Sequence, residues 1–312
     1  FILVSLTITI ILLNIVYGSN RIKNYEKNNF QIVNTSIKII SPKIQHTNFF
    51  EQSDPSNRIE KLVQLSNPSL EESFLYIFPE GILSGVFLEE LKEFQFLFKD
   101  RFNLNDKIIL GINSQENSKI FNSMVLLDHN LNIIKKYKKN KLVPFGEFLP
   151  FENILSKFNL KKITQGYNSF SDSNQREQIN LDGLTILPLI CYEIIYTGRL
   201  NINQKKFNLI INISEDGWFG NSIGPYQHFS HSIFRSIEEG KNILRSSNNG
   251  ISAHINPIGQ VIGKVESTKS GVISINELKQ IEKTHFSKFR NKIFFYFIVI
   301  YITLIFFLKK RG

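Results

Sequence analysis

The chain has 312 residues, of which 42% are hydrophobic, enough for a large buried core. Its single cysteine excludes an intrachain disulfide and a multi-cysteine metal site. The formal net charge is +10, but the basic residues are scattered through loops rich in lysine and asparagine, with no recognisable nucleic-acid or phosphate-binding motif. We therefore expect no nucleic-acid partner and favour a basic surface beside anionic lipid.

The first predicted element is the apolar run FILVSLTITIILLNIVY at residues 1–17. As a helix it would reach roughly 25 Å, slightly short of a ~30 Å hydrocarbon core. A signal peptide is the alternative, with Gly18-Ser19 as a small-residue cleavage site. No basic segment precedes the run, however, and it is longer than a usual signal core. We interpret it as a transmembrane helix, and expect it to be truncated because residue 1 is not Met.

The middle of the chain, residues 20–290, alternates short β-type runs with stretches of helical spacing. This alternation predicts one α/β domain with buried sheets. Helical spacing of apolar residues predicts helices over 85–98 and 230–243, and the polar stretch 168–178 predicts an exposed loop. The predicted strands are 36–40, 75–78, 107–112, 124–128, 131–137, 184–190, 207–213, 250–256 and 272–275.

The last predicted element is a second apolar run, IFFYFIVIYITLIFFL, at residues 293–308. It lacks the polar positions of a buried core helix, so we interpret it as a C-terminal transmembrane helix. Lys309, Lys310 and Arg311 follow it directly, which favours a cytoplasmic C-terminus by the positive-inside tendency.

Three reactive side chains come at or near the ends of predicted strands. Glu80 follows the strand at 75–78, Lys139 lies in a lysine cluster before a Pro-Phe-Gly turn, and Cys191 ends the apolar run at 184–190. Each has a structural alternative when taken singly. Glu80 could cap a helix, Lys139 could be a solvated charge, and Cys191 could be a small buried hydrophobe.

Taken together, these residues resemble the nitrilase superfamily, whose signature is a Glu, a Lys and a Cys on separate strand ends. Flanking segments are similar to the apolipoprotein N-acyltransferase family over about residues 37–275. Those segments, in chain order, are LVPFGEFLP at 142–150, CYE at 191–193, DGWFGNS at 216–222, GPYQH at 224–228 and LRSSNNGIS at 244–252. The resemblance implies an α-β-β-α sandwich between two transmembrane helices.

The resemblance also implies an acyltransferase that works by ping-pong chemistry through a thioester on Cys191. Glu80 matches the general base, and Lys139 matches the lysine that stabilises the oxyanion. We choose Lys139 because it lies eight residues before Glu147, as in the family pattern, and Lys138 is the alternative. Glu147, Tyr192 and Glu193 match supporting residues.

Other candidate residues keep two interpretations. Trp218, in the aromatic and glycine-rich segment at 216–220, is either a substrate contact or a core aromatic. His228 and His231 could be mistaken for metal ligands, but no third ligand lies nearby in sequence, and the family needs neither metal nor cofactor. We expect both histidines to be structural.

The partners implied by the resemblance are a phospholipid acyl donor, a diacylglyceryl apolipoprotein acceptor and membrane lipid. The implied location is the bacterial inner membrane, with several spans in the full protein and the catalytic domain facing the periplasm. Two alternatives remain open: a membrane-anchored nitrilase-type amidohydrolase, in which water resolves the thioester, and a catalytically silent binding module.

Overall fold

The computed structural model describes residues 2–28, 31–44, 55–151, 169–200 and 205–309. Within these ranges the chain forms five α-helices and twelve β-strands. The helices are α1 (Ile2–Lys27), α2 (Pro55–Ser66), α3 (Gly224–Glu239), α4 (His285–Phe289) and α5 (Lys292–Lys309). The strands are β1 (Gln31–Ser41), β2 (Phe74–Ile77), β3 (Lys107–Glu116), β4 (Lys119–Asp128), β5 (Ile133–Lys138), β6 (Ile179–Leu181), β7 (Leu184–Ile190), β8 (Leu209–Glu215), β9 (Asn242–Asn248), β10 (Ser252–Ile255), β11 (Val261–Val265) and β12 (Gly271–Leu278).

The strands form two six-stranded sheets that pack face to face. The first sheet has the order β12-β1-β2-β3-β4-β5, and the second has the order β11-β10-β9-β8-β7-β6. Three neighbours at the centre of each sheet are parallel, β1-β2-β3 and β7-β8-β9. Aliphatic side chains of both sheets share one buried core, including Ile77, Ile109, Ile190 and Ile213. The apolar contact between the sheets therefore holds the ends of β2 and β7 close together.

Helical segments cover the outer face of each sheet. Ile59 and Leu62 of α2 join a second apolar cluster with side chains of the first sheet and of the 3-10 segment Leu88–Leu97. Phe229 and Ile233 of α3 pack against a third cluster on the second sheet. The layers therefore run α-β-β-α, which confirms the predicted sandwich.

The observed elements differ from the sequence prediction at several boundaries. The helix predicted over 230–243 begins at Gly224 and ends at Glu239, because Gly240 takes a left-handed φ of 63°. The helix predicted over 85–98 is a 3-10 segment, Leu88–Leu97. The elements α2, α4, β6, β9 and β11 were not predicted. The described part of the predicted loop, 169–178, has no helix or strand, and residue 168 lies outside the described residues.

Both apolar runs form helices whose described side chains are largely exposed. The N-terminal helix extends past the predicted end at residue 17 to Lys27, and its segment Val4–Lys27 is long and apolar enough to cross a membrane. The C-terminal apolar helix, described with its side chains over Lys292–Phe307, is shorter. One helix of the described chain thus meets the length and composition of a span.

Gly111 on β3 marks a close approach between Glu80 and the core, and this gives a testable prediction. A Cβ atom at this position would lie 2.6 Å from Glu80 Cα and 2.8 Å from Ile213 Cδ1. We expect Gly111→Ala to destabilise the domain by about 2 kcal/mol, because backbone must shift to relieve the contact. Thermal unfolding followed by circular dichroism measures the change.

The matched control is Gly263→Ala on β11, where the nearest atom to the new Cβ is a side-chain methyl of Ile273 at 3.0 Å. That methyl group can move, so we expect a loss below about 1 kcal/mol. Equal unfolding temperatures for the two variants would contradict the prediction.

Candidate active site

Three strands place reactive side chains at one edge of the two-sheet core. Glu80 lies three residues after β2, Lys139 directly follows β5, and Cys191 directly follows β7. The Lys139 ammonium lies 3.3 Å from Glu80 Oε1, and the charges of both residues act on the Cys191 thiol. Residues separated by more than one hundred positions in sequence thus lie together at this edge of the core.

Lys139 is a buried cation held between two carboxylates. Its side chain is 1% exposed, and Nζ lies 2.8 Å from Glu147 Oε1 and 3.3 Å from Glu80 Oε1. Burial alone would lower the pKa of Lys139, but Glu147 and Glu80 outweigh it and hold that pKa well above its usual range. The ammonium therefore stays charged at any working pH.

Asn122, which the sequence analysis missed, fixes both carboxylates. Its side-chain Nδ2 donates to Glu80 Oε1 at 2.7 Å and to Glu147 Oε1 at 2.8 Å. The second oxygen of Glu80 accepts from the Glu215 backbone N–H at 3.0 Å. The polar pair Asn122-Ser123 within a strand of mainly apolar residues was the available signal, since buried polar groups need partners.

Cys191 lies in a turn at the end of strand β7. Its φ is +49°, in the left-handed region, and the residue opens the 3-10 turn Cys191–Ile195 while staying partly exposed. Burial raises the pKa of its thiol well above the usual range, Glu80 raises it further, and Lys139 opposes both. The resting thiol is therefore protonated, and a base must remove its proton before it can act as a nucleophile.

Glu193 is fully buried and ties the β5 and β7 ends together. Its carboxylate accepts from Tyr137 Oη at 2.8 Å, Asn140 N at 3.0 Å, Ile190 N at 2.9 Å and Arg176 Nη2 at 2.9 Å. Burial and the nearby Glu193 charge raise the pKa of Tyr137 well above its usual range, so this phenol remains a donor. Glu193 therefore fixes the loop that carries Lys139 relative to the loop that carries Cys191.

Tyr192 is partly exposed and Trp218 is exposed. The Tyr192 ring packs edge-on against Tyr196 with centroids 5.4 Å apart. Trp218 is 55% exposed in the 3-10 turn Gly217–Phe219, which excludes a core role.

Lys138, the alternative to Lys139, pairs with Glu116 and does not contact Glu80 or Glu147. In the described residues, no cluster of three or more His, Cys, Asp or Glu side chains is arranged to hold a metal ion.

A family model described as Carbon-nitrogen hydrolase matches residues 44–282. The chain is 31% identical over 298 residues to an apolipoprotein N-acyltransferase from Rickettsia prowazekii, covering 93% of this chain and 58% of that protein. It is 32% identical over 289 residues to one from Wigglesworthia glossinidia brevipalpis, covering 89% and 56% respectively. The chain thus spans little more than half the length of these curated relatives.

Solved structures share the fold at low identity. XC1258 from Xanthomonas campestris, a CN-hydrolase superfamily protein, superposes with a TM-score of 0.54 at 15% identity, covering 77% of this chain and 90% of that one. Nit3 of Saccharomyces cerevisiae, from the nitrilase superfamily, gives 0.55 at 12% identity, with 78% and 90% covered. These likenesses place the two-sheet sandwich in a known fold.

The buried position of Glu193 gives a prediction about stability. We expect Glu193→Gln to destabilise the domain by about 3 kcal/mol, because the new amide N–H group would face donors and Arg176 would lose its counter-charge. Chemical denaturation measures the loss.

Glu177→Gln is the matched control, since Glu177 pairs with Lys135 at the surface, where both side chains are more than 40% exposed. Such a pair contributes less than about 1 kcal/mol. A Glu193→Gln variant as stable as this control would contradict the proposed linking role.

Proposed function

The chain belongs to the carbon-nitrogen hydrolase family, and from that premise we propose that it carries the catalytic domain of an apolipoprotein N-acyltransferase. One observation carries the proposal: a buried ammonium, held by two carboxylates, lies beside a thiol on a strained strand-end turn. Curated relatives with that name, similar along 93% and 89% of this chain, support the acyltransferase assignment.

In the first half-reaction, Glu80 takes the proton of the Cys191 thiol as the thiolate adds to the ester carbonyl of a phospholipid. The carbonyl oxygen becomes an oxyanion, which the Lys139 ammonium stabilises. Collapse of this intermediate breaks the ester C–O bond, and the leaving alkoxide recovers the proton from Glu80. The products are a lysophospholipid and a thioester on Cys191.

In the second half-reaction, the α-amine of a diacylglyceryl-cysteine attacks the thioester carbonyl. Glu80 removes a proton from the amine, and Lys139 again faces the oxyanion. Breaking the C–S bond gives an amide and a thiolate, which takes the proton back from Glu80. The high pKa of the Cys191 thiol favours this return to the resting state. Glu147 orients Lys139 in both steps.

Membrane attachment fits a reaction that starts from phospholipid. We propose that residues 20–290 form the catalytic domain and that the helices over 1–17 and 293–308 are membrane spans. In this arrangement the full protein lies in the bacterial inner membrane with further spans, and the domain faces the periplasm. The exposed apolar side chains of α1 and α5 support both spans.

Trp218 fits a contact with the lipid substrate. It is exposed, and the neighbouring Phe219 ring lies 5.7 Å from the ring of His228, which in turn contacts the Cys191 carbonyl. The turn that carries both aromatic residues therefore borders the nucleophile. Exposed aromatic side chains beside the site provide an apolar surface for an acyl chain.

Mass spectrometry tests the nucleophile. After incubation of the full-length protein with phospholipid vesicles, we expect an acyl-sized mass increase on the peptide that contains Cys191. Cys191→Ser should lower transfer to a diacylglyceryl-cysteine peptide by at least about a thousandfold, because a hydroxyl in this site is a far weaker nucleophile. Release of free fatty acid without acylation of that peptide would refute the transferase and favour the amidohydrolase-type alternative.

The choice between Lys139 and Lys138 has its own test. Lys139→Gln should slow acyl-enzyme formation by about 10²–10³-fold, because it removes the charge that faces the oxyanion. Lys138→Gln is the matched control, and we expect a change within about twofold, since Lys138 pairs with Glu116 at the surface. A larger loss in Lys138→Gln would contradict the assignment. Unfolding temperatures of both variants separate catalytic from folding effects.

A further inference from the structure

The backbone of Cys191 is held in an unfavourable conformation from both sides. A left-handed φ of +49° is unfavourable for a residue with a Cβ atom, so neighbouring contacts must maintain it. On the N-terminal side, the Ile190 N–H donates to Glu193 Oε2 at 2.9 Å. On the C-terminal side, the carbonyl oxygen of Cys191 lies 3.2 Å from His228 Nε2.

His228 reaches this carbonyl from α3 as part of a buried charged network. The side chain is 5% exposed, and its Nδ1 lies 2.9 Å from Asp216 Oδ1. Asp216 Oδ2 is paired with Arg245 Nη2 at 2.7 Å, and Ser214 Oγ donates to Asp216 Oδ1 at 2.7 Å. Asp216 and Arg245 are fully buried. A network of this kind keeps its geometry only when its members satisfy one another.

Three polar groups surround the nitrogens of the ring. Asp216 Oδ1 lies 2.9 Å and Arg245 Nη2 lies 3.2 Å from Nδ1, and the Cys191 carbonyl oxygen lies 3.2 Å from Nε2. Because a carbonyl oxygen only accepts, Nε2 carries the proton in this contact. Burial alone would raise the pKa of Asp216, but Arg245 and His228 outweigh it and hold the pKa well below its usual range. A permanent aspartate charge therefore lies against the imidazole ring.

We propose that His228 is a positioning residue for the nucleophile: anchored on Asp216, its Nε2–H group donates to the Cys191 carbonyl and keeps the thiol facing Glu80 and Lys139. The proposal deepens the proposed function, because it rests on Cys191 being the nucleophile. No residue other than His228 makes a described side-chain hydrogen bond to that carbonyl, within the ranges that the structure covers.

Charged and titratable groups face His228 from several elements. Asp216 directly follows β8. Arg245, on β9, has its Nη2 atom 3.2 Å from His228 Nδ1. The Cys191 thiol belongs to the residue whose carbonyl His228 contacts. His231 and Arg235 lie on the same helix, α3. Arg245 and Asp216 form an ion pair of opposite charges that fixes the carboxylate against the ring.

Two substitutions separate the carbonyl contact from the aspartate contact. Gln places its amide nitrogen near the position of His Nε2, whereas Asn places its amide near Nδ1 and does not reach the Cys191 carbonyl. The measurement is alkylation of Cys191 by iodoacetamide across a pH series, followed by mass spectrometry of the Cys191 peptide from the full-length protein. The assay needs no lipid substrate.

We expect His228→Asn to be alkylated about tenfold more slowly than wild type, because one hydrogen bond that holds the turn is lost. His228→Gln should recover most of the rate, because its amide N–H group can reach the Cys191 carbonyl. His231→Asn, one turn along the same helix, is the matched control, and its rate should equal that of wild type.

Two results would overturn the proposal: a His228→Asn variant that is alkylated at the wild-type rate, or equal losses in His228→Asn and His228→Gln when both unfold at the wild-type temperature. Failure of the proposed function looks different. In that case the wild-type protein would gain no acyl mass from phospholipid, while the ranking of alkylation rates would stand.

Discussion

The ion pairs of Lys139 with Glu80 and Glu147 are the interaction on which the rest of the site depends. An ammonium with a side chain 1% exposed is tolerated only with close counter-charges, and two carboxylates leave the cluster with one excess negative charge. Asn122 and the Glu215 backbone N–H compensate that excess by donating to the carboxylates. Burial, reinforced by the Glu80 charge, raises the pKa of the Cys191 thiol and keeps it protonated, although Lys139 opposes both.

Polar contacts at the strand ends orient the side chains that the apolar core brings together. Glu80 and Lys139 belong to the first sheet, whereas Cys191 and Glu193 follow β7 of the second. Apolar packing between the faces fixes their separation, but it does not set the side-chain directions at the edge. Glu193 sets them by accepting donors from the ends of both β5 and β7. The chemistry therefore depends on a junction that neither sheet could form alone.

Much of the fold could be predicted from the sequence, because the apolar strands and their turns are local signals. The strand-end positions of Glu80, Lys139 and Cys191 follow from the same signals. The partners Asn122 and Arg176 could not be found in this way, since their roles arise from contacts across elements far apart in sequence. The predicted range of helix α3, 230–243, ends too late because the apolar spacing continues past Gly240 into β9.

The pairing of β1 with β12 has a mechanical consequence. The helix α1 leads into β1 and β12 leads out to α5, and the two strands are antiparallel neighbours with Gln31 opposite Leu278. Both connections to the apolar helices therefore leave from the same end of one ladder. Lateral forces that separate the two helices would first detach the segment 279–290 from Gly240 and Glu238, and would then open this ladder one residue pair at a time from its Gln31–Leu278 end. That end lies opposite to the C-terminal end of the parallel neighbour β2, after which Glu80 follows.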